Sequence, residues 1–146
     1  MMAPIADPRF SPMPAGMFFS ASVGNALPLL HQIRHALTAL LTGGTETIID
    51  LGAIPFGPGD EAVLEETLGT GEVHAVLTAM GESHVRETAI PGVWRIDHRD
   101  MAGALQSRFV EITMMPDILK TQREDAVRGL KVLEDRLAAL DGGTPV

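Results

Sequence analysis

A chain of 146 residues, 45% hydrophobic and 21% charged, is long enough to bury one core and fits a single folded domain. It contains no cysteine, which excludes thiolate zinc sites, iron–sulfur ligation, disulfides and cysteine nucleophiles. Its formal net charge of −8 opposes a phosphate backbone, so neither nucleic acid nor an anionic membrane is an expected partner.

In chain order, residues 1–20 hold Pro4, Pro8, Pro12 and Pro14 among Met, Ala and Phe, and read as a flexible Pro/Met-rich arm. A helix is predicted from Asn25 to Thr42. Asn25 is its N-cap, Pro28 sits harmlessly in the first turn, and Gly43 and Gly44 stop it. Leu30, Ile33, Leu37, Leu40 and Leu41 make its apolar stripe, the expected buried face. The β-branched run Glu46–Leu51 predicts a strand. A Gly/Pro-rich connection then leads to Asp60, the expected N-cap of a short helix ending at Leu68 before Gly69.

From Glu72 to Met114 the period changes to two. Val73/Ala75/Leu77, Val85/Glu87/Ala89, Trp94/Ile96/His98 and Val110/Ile112/Met114 mark four strands. Gly81 separates the first two, and Ile90-Pro91-Gly92-Val93 has the composition of a type II turn. Residues 99–106 form a longer, looser connection. After Pro116 a last helix is expected, opened by the capping-box pattern Thr121-Gln122-Arg123-Glu124. Ala126, Leu130, Leu133, Leu137 and Leu140 share one stripe of it. The whole predicts an α+β fold: an antiparallel sheet of about four to five strands with an N-terminal, a short middle and a C-terminal helix. One domain spans residues 21–140, and residues 141–146 form a disordered tail.

No stretch approaches the roughly 18 consecutive apolar residues of a membrane span, and no secretory signal opens the chain. Cytoplasmic residence is the expectation. Neither phosphate-binding glycine loops nor a GxSxG nucleophile elbow occurs, so the chain is expected not to be an enzyme and to need no cofactor.

Five blocks carry a family resemblance. Residues 25–37 (Asn25-Ala26-Leu27-Pro28 through Leu37) resemble the opening helix of the HupH conserved domain, also called HyaF-type. Thr47-Ile48-Ile49-Asp50-Leu51 and Pro58-Gly59-Asp60 resemble its next blocks, and Arg86–Trp94 is the most distinctive. Phe109-Val110-Glu111-Ile112 followed by Pro116-Asp117-Ile118-Leu119 completes the series, which covers roughly residues 22–140. Gln32 stands where many relatives have glutamate, and the larger N-terminal portion of longer relatives is represented only by the short arm. The resemblance implies a hydrogenase-expression accessory protein. It would assist maturation or assembly of an uptake nickel–iron hydrogenase in the cytoplasm, around the iron–sulfur small subunit. The implied partners are a hydrogenase subunit precursor or other accessory proteins; homo-oligomerisation stays open.

Individual residues admit more than one reading. His31 and His35 lie four apart, on one helical face away from the apolar stripe, a geometry that suits a metal, a partner contact or plain surface. A metal-handling or small-molecule module centred on that pair is therefore the alternative function. Partner-binding candidates are His31, Arg34 and His35 on the helix, with Pro91, Gly92 and Trp94 at the turn. Trp94 is read as a binding anchor or as core. Glu82, His84, Arg86 and Glu87 cluster near one turn, as an acid–base site or as a solvated hairpin with cross-strand charge pairs.

Overall fold

A computed structural model describes residues 24–142. The arm expected for residues 1–20 and most of the tail expected for 141–146 lie outside the described residues. The chain divides into two compact units, one ending at Met114 and one beginning at Met115.

The first unit opens with α1 (Ala26–Gly43) and β1 (Thr47–Asp50), followed by a 3-10 turn, Leu51–Ala53. Next come α2 (Pro58–Leu68), β2 (His74–Thr78), β3 (Glu82–Glu87), β4 (Val93–Arg99) and β5 (Leu105–Ile112). The strands form one antiparallel sheet in the order β1-β5-β4-β3-β2. Among the described residues, the α+β class, the five strands and the three helices are those the sequence predicts.

Helix α1 starts after Asn25, but Asn25 does not cap it with its side chain; the amide nitrogen donates instead to Pro55 O at 2.6 Å. Gly44 ends it in the left-handed conformation, φ 73°, with its N–H on Leu40 O. The buried face is Ala26, Leu29, Ile33, Ala36 and Leu40, whereas Leu41 is 69% exposed and Leu30 and Leu37 only flank the core. The expected stripe is thus corrected by a rotation of the helix. Ala26 and Ala36 lie at the two edges of this face, with Leu29, Ile33 and Leu40 between them.

Helix α2 begins at Pro58, two residues before the expected start, and Asp60 is not its N-cap. The fixed φ of proline suits the first helical position, where a missing N–H costs nothing. Asp60 lies two residues further on and is 1% exposed. Its carboxylate accepts from Gly57 N at 3.1 Å and from Ala26 N at 3.4 Å, tying together the starts of α2 and α1. The core beneath both helices joins Leu29, Ile33, Leu40, Leu64 and Leu68 to Ile49, Val93, Val110 and Ile112 of the sheet.

The turns follow their sequence. Val93 N donates to Ile90 O at 3.0 Å and Gly92 has φ 93°, as a type II turn requires. The expected looseness of residues 99–106 is corrected, since β4 and β5 nearly meet there. Asp100 Oδ1 accepts from Ala102 N and Ala104 N, both at 2.9 Å, and Gln106 Nε2 donates to Oδ2. The bond from Ala104, together with those from Gln106, Ala102 and Gly103, outweighs desolvation and holds the Asp100 carboxyl below its ordinary value.

The second unit holds a 3-10 turn, Asp117–Leu119, and α3 (Arg123–Leu140). The capping box does not form: the N-cap is Gln122, without a side-chain cap, and its Nε2 donates to Lys120 O. None of the residues of α3 is buried; Leu130, Leu133, Leu137 and Leu140 are 49–81% exposed.

Candidate functional site

The face of the sheet that carries the core is apolar at one end and charged at the other. Antiparallel pairing aligns His74, Arg86, Arg95, Val110 and Ile49 across the five strands in one row. Charged side chains therefore pass directly into the core residues Val110 and Ile49 within a single row. The neighbouring row is Val76, His84, Asp97 and Arg108. Because side chains alternate along each strand, Arg86, Arg95, Asp97 and Arg108 share this face, while Val85, Trp94 and Ile96 point to the other. Those three are also buried, so β4 is covered on both faces from Val93 to Ile96.

Helix α2 supplies acceptors for this charged end. Arg95 Nη2 lies 3.1 Å from Glu61 Oε2, and Arg95 Nη1 lies 3.7 Å from Glu65 Oε2. Arg108 Nη2 reaches the other Glu61 oxygen at 3.0 Å, and Arg86 Nη2 reaches Asp97 Oδ2 at 3.1 Å. Arg95 is the most enclosed, with a side chain 7% exposed. Burial alone would raise the Glu61 carboxyl. Hydrogen bonds from Arg108 and Arg95, with their positive charges, outweigh burial and hold it below the ordinary glutamate range.

These side chains line an open cavity of about 370 Å³. Its walls carry Arg86, Arg95, Arg99 and Arg108, the imidazoles of His74 and His84, and the carboxylates of Glu65 and Asp97. His74 Nε2 and His84 Nδ1 are 3.0 Å apart, and His84 Nε2 lies 3.0 Å from Glu82 Oε1, a chain of contacts along the rim. Among the described residues, the Nε atoms of Arg86 and Arg95 are buried without a hydrogen-bond partner.

The residues singled out from sequence do not converge here. His31, Arg34 and His35 are exposed together on the outer side of α1. No group of three or more His, Asp or Glu able to hold a metal occurs among the described residues. Pro91 is exposed, whereas Gly92 sits against α1, where an added Cβ would lie 3.0 Å from Leu37 Cδ1. Trp94 is 5% exposed and its indole N–H donates to Thr113 O at 3.1 Å, so it packs as core. Of the turn cluster, His84 and Arg86 enter the cavity. Glu82 contacts His84, and Glu87 accepts from Glu72 N. Arg95, Asp97 and Arg99 were the missed signal: three charges at alternate positions of one strand.

Fold and site together define a small α+β domain with an arginine-lined cavity at the charged end of its sheet. The HupH hydrogenase expression protein, C-terminal conserved region, matches residues 23–140, and the chain belongs to this family. Hydrogenase expression protein HupH from Thiobacillus denitrificans ATCC 25259 has a similar structure. Its TM-score is 0.76 at 44% sequence identity, covering 81% of this chain and 98% of that one. Hydrogenase expression/formation protein HoxQ of Azotobacter vinelandii is 28% identical over 139 residues, 92% of this chain and 46% of its own length. Hydrogenase expression/formation protein HupH of Rhodobacter capsulatus is 32% identical over 106 residues, 73% of this chain and 38% of its own. The chain spans less than half the length of these two curated relatives. No helix among the described residues is long and apolar enough to cross a membrane.

Proposed function

We propose that this domain is a non-enzymatic accessory factor for an uptake nickel–iron hydrogenase, acting in the cytoplasm by protein–protein interaction. The observation that carries this reading is the family match over residues 23–140, nearly all of the described chain. Its client is the precursor of a hydrogenase subunit, the iron–sulfur small subunit first among them, or another accessory protein. The contact surface is the exposed side of α1, with His31, Arg34 and His35, together with Pro91 at the turn. The net charge of −8 suits encounter with a basic client by long-range steering, while the α1 face, which carries no carboxylate, makes the contact itself.

The test is a strain lacking the gene, complemented with the tagged chain. Loss of hydrogenase maturation without the gene, and recovery of a hydrogenase subunit precursor on the tag, are the expected results. Normal maturation in the deletion strain sinks the proposal.

A further inference from the structure

We propose that the cavity formed by Arg86, Arg95, Arg99 and Arg108 between the open end of the sheet and α2 is a binding site for a small, multiply charged oxyanion, a polycarboxylate or a phosphate. This inference does not depend on the hydrogenase role.

The first argument is charge. Four arginines line it: Arg86, Arg95 and Arg108 stand against the carboxylates of Glu61, Glu65 and Asp97, and Arg99 flanks them with its Nη1 on Gly103 O. On the wall itself four arginines face two carboxylates, Glu65 and Asp97, in a chain whose net charge is −8. Surface repulsion does not explain such local concentration of positive charge in an acidic protein. Folding alone does not require it either, because apolar side chains of similar volume are often as stable as buried ion pairs.

The second argument is hydrogen-bonding capacity. A guanidinium carries five N–H donors and no acceptor. Glu61 and Asp97 are already engaged by Nη atoms, Glu65 stands off at 3.7 Å, and two Nε donors remain buried and unpartnered among the described residues. An unsatisfied buried donor is costly, and a ligand bearing oxygen acceptors relieves that cost once the guanidinium of Arg86, 40% exposed, turns toward it. Planar guanidinium forks match carboxylate and phosphate oxygens in pairs, which compact halide ions cannot do.

The third argument is size and lining. The volume of about 370 Å³ lies within the range of small-molecule sites, and among the described residues Leu105 is the one apolar side chain on its wall. The wall therefore selects a polar anion over an apolar ligand.

Isothermal titration of the full chain with citrate, and separately with inorganic phosphate, tests this against sodium chloride of equal ionic strength. Saturable one-site binding of either anion above the chloride control is expected. Citrate alone assigns a carboxylate ligand, and phosphate alone a phosphoryl ligand. Arg99→Gln changes an exposed side chain and spares the fold, and should weaken binding severalfold. Arg86→Gln should weaken it at least tenfold, with Arg86→Lys failing to restore it because the fork is lost. Arg136→Gln on α3 should leave it unchanged. Absence of saturable binding overturns the proposal. So does equal affinity in the folded Arg86→Gln and Arg99→Gln proteins, or equal weakening by Arg136→Gln.

Discussion

Replacing Glu61 by Gln removes the charge that Arg95 and Arg108 share while keeping the shape of the side chain. Arg95 would keep only Glu65, 3.7 Å away and 61% exposed, although its own side chain is 7% exposed. Stripping one partner from a fully buried pair costs about 3–5 kcal/mol, and an exposed pair is worth about 0–1 kcal/mol. Glu61 and Arg108 are 29% and 26% exposed, so the site falls between these limits. The expected loss at pH 7 is about 2 kcal/mol, interpolated between those limits for a half-buried network. Equilibrium urea unfolding measures it. The pH dependence gives a second check. Glu61 is held below its ordinary value in the folded protein, so its stabilisation is present above the unfolded value, about 4.3. It is lost as pH falls through the lower folded value. Wild type and Glu61→Gln should therefore converge in stability as the solution is acidified below that point. A difference under about 0.5 kcal/mol at pH 7, or one that stays constant down to acid, refutes the network as described.

Gly92→Ala forces a side chain onto φ 93° and against Leu37, and should cost about 2 kcal/mol in thermal denaturation, whereas Pro91→Ala should cost less than about 1. Asp60→Ala leaves the N–H groups of Gly57 and Ala26 without their carboxylate. It should lower stability by about 2 kcal/mol, and hydrogen exchange should quicken at the starts of both α1 and α2. The triple change His31→Ala, Arg34→Ala, His35→Ala alters only exposed side chains. Stability should stay within about 0.5 kcal/mol while recovery of the hydrogenase precursor on the tagged chain falls.

Turns and periods are legible in the sequence itself. Pro91-Gly92 announced its turn type, Gly44 its helix end, and the alternating runs their strands, because each depends on local backbone chemistry. What escaped depended on distant partners. Asp60 looked like a cap in isolation, yet its carboxylate is committed 34 residues back in sequence, at Ala26. The rotation of α1 was hidden because leucines stand on both sides of Ile33 and Leu40, so Leu30, Leu37 and Leu41 make as good a stripe as the buried Leu29, Ala26 and Ala36. The cavity was half legible: Arg86 stands out beside a turn, but nothing local marks Arg95 and Arg108, which only the pairing of β3, β4 and β5 brings together.

The charged rows also discipline assembly of the sheet. Strand β4 is enclosed on both faces over Val93–Ile96, so hydrophobicity alone distinguishes poorly between the correct alignment and one slipped by a single residue. Such a slip would turn Arg95 and Asp97 into the space now filled by Trp94 and Ile96, and would take Arg95 away from Glu61. Misaligned hairpins are thereby made unfavourable before the sheet is complete. Neutralising the arginines should therefore loosen fidelity of folding as well as ligand affinity, and alternative pairings of β3, β4 and β5 would be the product.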